Sequence, residues 1–115
     1  MQKSFTVTQN MINAYSELNG DDEAIHLSQD YATSKGFRNT LLHGLYMMGM
    51  ACDLATDLYG PSFLSNGELY VKWIAPACAG DDLNIAIEDD GQITADNQLG
   101  RTMIGHAVLQ SDRTT

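Results

Sequence analysis

The stretch NTLLHGLYMMGMACDLATDLYG, residues 39–60, limits the possible folds more than any other. Asn39 or Thr40 can cap a helix here, and Gly60-Pro61 stops it. In between, the helix is apolar on nearly every face. A helix of that kind is expected to be buried on every side. His43, Asp53 and Asp57 argue against a bilayer as the burying medium, and no run of about 20 apolar residues occurs anywhere. The rest of the chain must therefore supply the cover.

The flanking sequence reads as one element type followed by another. FTVT (5–8) alternates like a short strand. Thr8 then caps a helix over Gln9–Leu18, with Met11, Ile12, Tyr15 and Leu18 at helical spacing and Asn19-Gly20 as its stop. DDEAIH (21–26) reads as loop. Ser28 caps a second short helix that Gly36 ends. After residue 60 come strands: 69–76, ended by Pro76; 83–88, strictly alternating; a turn at Asp90-Gly91; 93–96; and 101–110, before a polar tail, SDRTT. This order predicts one α+β domain over 1–115. Four or five antiparallel strands cover an apolar helix by curving around it.

Bulk charge narrows the partners. The net charge is −9, with 15 acidic residues against 6 Lys and Arg. Nucleic-acid binding needs clustered cations to displace counterions, and these are few and scattered. Cys52 and Cys78 form no CxxC pair, so free thiols in a reducing compartment are expected. MQKSFTVTQN lacks the apolar run of a signal peptide. The expected setting is cytoplasmic, with no membrane and no nucleic acid.

Chemistry concentrates in two places. No Walker, GxGxxG or GxSxG pattern occurs, and no His pair sits at i, i+4 with a third ligand, so no metal site is expected. Asp21 and His26, five positions apart, form a carboxylate and an imidazole that can reach one water. One can take a proton from that water while the other gives one to the adjacent carbon. Ile25 would anchor the loop and aim His26. An acidic solvated turn would look the same in sequence. His43-Gly44 lies in the first turn of the apolar helix, where N–H groups lack helical partners. A glycine there lets a ligand approach an amide that can hold an oxyanion. Close packing alone would also account for the pair.

Here the chain resembles a known family. GDDEAIHLSQDYATSKGFRNTLLHG is similar to the signature of the MaoC-like, R-specific enoyl-CoA hydratases: S-G-D-x-N-P-[IL]-H, then Asp and Tyr-Ala, then [IV]-x-HG. Gly20, Asp21, Ile25, His26, Asp30, Tyr31, Ala32, His43 and Gly44 match it. VKWIAPACAGDDL (71–83) and NQLGRTMIGHAVL (97–109) resemble two later family stretches. Glu23-Ala24 stands where the family has Asn-Pro, which leaves the loop less rigid. The resemblance implies a hot-dog fold, a sheet wrapped around a long helix and paired into a homodimer. It implies Asp21 and His26 as the water-activating dyad and the Gly44 amide as donor to a thioester carbonyl, with His43 and Tyr31 at the substrate. The implied reaction is reversible hydration of a trans-2-enoyl-CoA to the (R)-3-hydroxyacyl-CoA, with coenzyme A as part of the substrate and no other cofactor.

Other residues join as expectations. Met47 and Met48 have flexible thioethers suited to an acyl channel, or to simple core filling. Lys35 and Arg38 precede His43-Gly44 and are candidates for the phosphates of coenzyme A. A hot-dog thioesterase would use a similar pocket to direct water at the carbonyl. A silent acyl-binding module would keep the shape without the chemistry.

Overall fold

The computed structural model describes residues 1–110; the expected polar tail, 111–115, lies outside the described residues. A strand β1 (Gln2–Thr6) comes first, then helices α1 (Gln9–Asn19), α2 (Ala24–Leu27), α3 (Gln29–Ser34), α4 (Gly44–Tyr59) and α5 (Phe63–Asn66). Strands β2 (Gly67–Trp73), β3 (Asp82–Ile87), β4 (Gln92–Asn97) and β5 (Gly100–Leu109) complete it. The strands form one open antiparallel sheet in the order β1-β3-β4-β5-β2. The α+β order expected from the sequence is present.

Local signals explain several boundaries. The Thr8 side chain accepts from the Met11 N–H, and Gly20, at φ 76°, ends α1 in a conformation that glycine takes without steric cost. Ser28 caps α3 through the Tyr31 N–H. Gly91, at φ 92°, makes the β3–β4 turn. Alternation in β3 and β4 turns Leu83, Ile85, Ile87, Ile93 and Ala95 inward, where they meet Met47, Ala51, Leu54 and Ala55 of α4.

Three expectations need correcting. The long helix starts at Gly44, not at Asn39 or Thr40. Residues 40–42 are extended instead, because their backbone bonds elsewhere: Ala79 N–H to Thr40 O (2.9 Å), Leu42 N–H to Ala77 O (2.8 Å) and Leu41 N–H to Ile25 O (3.1 Å). Second, α4 is not buried all round. Leu45, Gly49, Asp53 and Asp57, one i, i+4 ridge, are exposed, since an open five-stranded sheet covers a single face. Third, the DDEAIH segment is not all loop: its second half is the short helix α2. The helix α5 had no expected counterpart; it follows Pro61 and stacks Phe63 on Tyr59 at 5.8 Å.

One buried charge ties these pieces together. Asp81 is 1% exposed and sits between β2 and β3. Arg38 donates to both its oxygens (2.6 and 2.9 Å), and the Cys78 N–H (2.8 Å), Asn97 (3.1 Å) and Gln98 (3.0 Å) donate as well. Burial pushes this carboxyl up, but Arg38 and the other donors outweigh burial and hold it well below the usual carboxylate range. A depressed folded pKa contributes stability above the unfolded value, about 4, that is lost as pH falls through the folded one. Asp81→Asn should therefore cost about 3 kcal/mol in urea unfolding at pH 7, the low end for a broken buried pair because Arg38 is partly open to solvent. The stability of the wild-type chain should decline below about pH 4, with a shallower decline in the variant.

Candidate active site

The loop after α1 places a carboxylate against an imidazole. Asn19 Oδ1 accepts from the Asp21 N–H (2.9 Å), and Asp21 Oδ1 accepts from the Glu23 N–H (3.4 Å), which turns the chain into α2. One turn later, His26 faces back. Its Nδ1 lies 2.8 Å from Leu41 O. A carbonyl only accepts, so Nδ1 carries the hydrogen and Nε2 keeps a lone pair. That Nε2 lies 3.4 Å from Asp21 Oδ2. The His26 side chain is 13% exposed and that of Asp21 40%, so the pair opens to solvent on the carboxylate side. Gln9 holds the loop from behind: its Nε2 donates to His26 O (2.9 Å), and its Oε1 accepts from Thr40 (2.5 Å).

His43 and Gly44 adjoin this pair. The His43 ring stacks on that of His26, centroids 3.8 Å apart and planes at 16°. It is 3% exposed. Burial first, and the neighbouring His26 second, lower its pKa below the ordinary value. Gly44 is the first helical residue, so its N–H has no carbonyl one turn back and meets no acceptor among the described residues. Above it lies the Trp73 indole, whose Nε1 donates to Gly44 O at 3.1 Å. Trp73 escaped the sequence reading because its contact with residue 44 crosses from β2 to α4; only its place in VKWIAP hinted at a structural part.

Two clefts lie along residues next to these in the chain, though Asp21, His26 and His43 line neither. One, about 270 Å³, is apolar and runs from Gly44 past Leu42, Met47, Trp73 and Ile74. Met47 contributes there although it is 2% exposed, whereas Met48 is half-buried on the next face. The other, about 550 Å³, is lined by Glu23, Ile25, Tyr31, Lys35, Phe37 and Leu41. Lys35 Nζ lies 5.4 Å from the centre of the Tyr31 ring. Arg38 is not brought to either cleft; Asp81 holds its guanidinium by two bonds. A further groove, about 650 Å³, lies on the outer sheet face around Tyr70, Lys72, Ile104 and His106, remote in sequence from the dyad, and His106 stacks on Tyr70 there at 4.8 Å.

Asp21, His26 and His43 each offer a ligand atom within 4.8 Å of the others. They make a poor metal cage as they stand. The two rings lie nearly parallel, so their in-plane lone pairs do not converge on one point, and His26 Nδ1 is already bonded to Leu41 O.

Comparison with known proteins identifies the family and the fold. The open antiparallel sheet carrying a long helix is a hot-dog fold, shared with hydratases of known structure. The chain belongs to the MaoC-like domain family, whose pattern it matches over residues 1–109. A 3-hydroxybutyryl-CoA dehydratase of Methylorubrum extorquens is 33% identical over 79 residues, 64% of this chain and 47% of that protein, so this chain spans about half the length of that curated relative. The ChsH1-ChsH2 complex from Mycobacterium tuberculosis contains a chain with TM-score 0.77 at 16% identity, covering 96% of this chain and 94% of that one. The (R)-hydratase from A. caviae involved in PHA biosynthesis gives 0.70 at 18% identity, covering 97% and 93%. At these identities the structural likeness establishes the fold.

Gly44 tests how tightly the helix end is packed. A β-carbon there would lie 2.8 Å from the indole ring of Trp73, which would have to shift and strain its bond to Gly44 O. Gly44→Ala should cost about 1–3 kcal/mol through overpacking. Trp73 is the only tryptophan, so its fluorescence should report the displaced ring directly.

Proposed function

We propose that this chain hydrates trans-2-enoyl-CoA thioesters reversibly to (R)-3-hydroxyacyl-CoA. The observation that carries the reading is the Asp21–His26 pair, 3.4 Å apart, with His26 held by Leu41 O in the tautomer that leaves Nε2 free. A water bonded to both Oδ2 and Nε2 from the open side of the pair meets two proton acceptors of different basicity. The dyad takes one proton from that water as hydroxide adds to C3 and delivers the same proton to C2; the reverse steps eliminate water. Charge that builds on the thioester oxygen is met by the Gly44 N–H at the positive end of α4. The apolar cleft beside Gly44 suits an acyl tail, and Tyr31 and Lys35 line a second cleft suited to the coenzyme arm, with Lys35 the available cation. Addition of water needs no electron carrier, so the acyl-CoA alone suffices as partner.

We extend the reading to a homodimer. Trp73 and Ile74, exposed by 47 and 51%, line the apolar cleft, Leu45, exposed by 57%, follows Gly44 on α4, and β2 is an edge strand. A second copy across this region would finish the cleft wall and cover the exposed ridge of α4. The Mycobacterium tuberculosis neighbour is itself a two-component complex.

The decisive assay follows enoyl-thioester absorbance and free thiol in parallel. Loss of the double bond without thiol release is expected, and Asp21→Asn or His26→Ala should each lower kcat by about 10²–10⁴. Thiol release with the double bond retained would replace this reading by a thioesterase. Sedimentation should give twice the chain mass.

A further inference from the structure

His43 is a buried ionisable side chain at this site to which the hydration steps assign nothing. Its ring is enclosed on all sides. The Tyr15 ring from α1 lies 4.9 Å away at 55°, and the His26 ring from α2 is stacked at 3.8 Å. Nε2 lies 3.1 Å from Ser16 Oγ and 3.4 Å from the Asp21 peptide oxygen. Nδ1 is buried and has no hydrogen-bond partner among the described residues. Since the Asp21 carbonyl can only accept, Nε2 carries the hydrogen, and Nδ1 is left as a bare lone pair. A proton on Nδ1 would therefore sit buried without an acceptor.

We propose that His43 is a positioning residue whose neutral ring, stacked on His26 and bonded to the Asp21 backbone, keeps the two members of the dyad turned towards the same water. This rests on the hydratase reading of that dyad. Two freedoms would otherwise blur the site. The His26 ring can rotate about its Cβ–Cγ bond, with the single Nδ1 bond to hold it. The Asp21 loop, which lacks the family's proline, can drift from α2. His43 opposes both at once because one face meets His26 while one edge meets Asp21. Neutrality matters as well. When His26 gains a proton, a neutral ring offers it a π face, whereas a second imidazolium at 3.8 Å would repel it. The titratable groups facing His43 are Tyr15 from α1, Asp21 from the loop and His26 from α2. Burial and His26 lower the pKa of His43, and hydrogen bonding and charge from Asp21 raise it less.

The test uses the full chain with ¹⁵N-labelled histidine. His43 should remain the neutral Nε2–H tautomer below the ordinary histidine value of about 6.5, with neutral His26 as Nδ1–H. His43→Phe keeps the stack and loses the bond to Asp21; His43→Ala loses both. With an enoyl-CoA substrate, KM should stay within about twofold in each, and kcat should fall about 10-fold in the first and about 100-fold in the second. The His26 Nδ1–H signal should persist in His43→Phe and become a tautomer mixture in His43→Ala. A merely structural His43 would lower the melting temperature but leave kcat of the folded protein unchanged, and that result overturns the proposal. So does a His43 that titrates near 6.5, or equal damage in both variants with the His26 tautomer intact. Should the wild-type chain hydrate no enoyl thioester, the functional reading fails on its own, and the spectra still decide the geometry. If His43→Ala does not fold, the wild-type spectra and the kinetics of His43→Phe decide between the two outcomes.

Discussion

A carboxylate with 1% exposure has to be met by donors on every side, or it would not remain charged. Asp81 meets that demand with groups from three separate parts of the chain: Arg38 before the long helix, Cys78 in the crossover from β2, and Asn97 and Gln98 at the β4–β5 turn. Satisfying one charge thus fixes where the segment 38–43 runs. Ala77 and Thr40 continue that pairing through backbone bonds, which keep residues 40–42 extended up to the start of α4. The position of His43 and Gly44 follows from a charge that takes no part in the proposed chemistry.

The site is built on that extended segment. Leu41 is used twice: its N–H donates to Ile25 O, and its carbonyl accepts from His26 Nδ1. The middle residue of the extended run therefore selects the histidine tautomer. Had the helix begun at Asn39, that carbonyl would have been drawn into a helical bond and Nε2 of His26 would have lost its fixed orientation. Glu23-Ala24 in place of Asn-Pro does not unravel the loop. Ala24 opens a short helix, and Gln9 from α1 secures it by bonding His26 O.

The apolar character of α4 exceeds what one open sheet can cover. Its Met47, Ala51, Leu54 and Ala55 face is packed, while Leu45 and Gly49 share a solvent-facing ridge with two aspartates. The surplus lies beside the Gly44 cleft, so site and exposed ridge meet at the same helix end. The proposed second copy would close the cleft wall and cover the ridge together.

Much was legible without coordinates. Alternation in β3 and β4, the Thr8 and Ser28 caps, the Gly20 and Gly91 turns and the D-x4-H spacing all act over a few residues, so the sequence by itself determined the α+β order and the pairing of Asp21 with His26. Bonds between residues far apart in sequence decided the rest. The Arg38 guanidinium, expected near a phosphate, is taken by Asp81, 43 positions away. Trp73 reaches Gly44 across 29 positions. His43, read as a substrate contact, is turned onto His26 and Asp21 instead. No local pattern encodes such partners, because a side chain's nearest charge or ring is set by how whole elements pack, and packing exists only once the chain has folded.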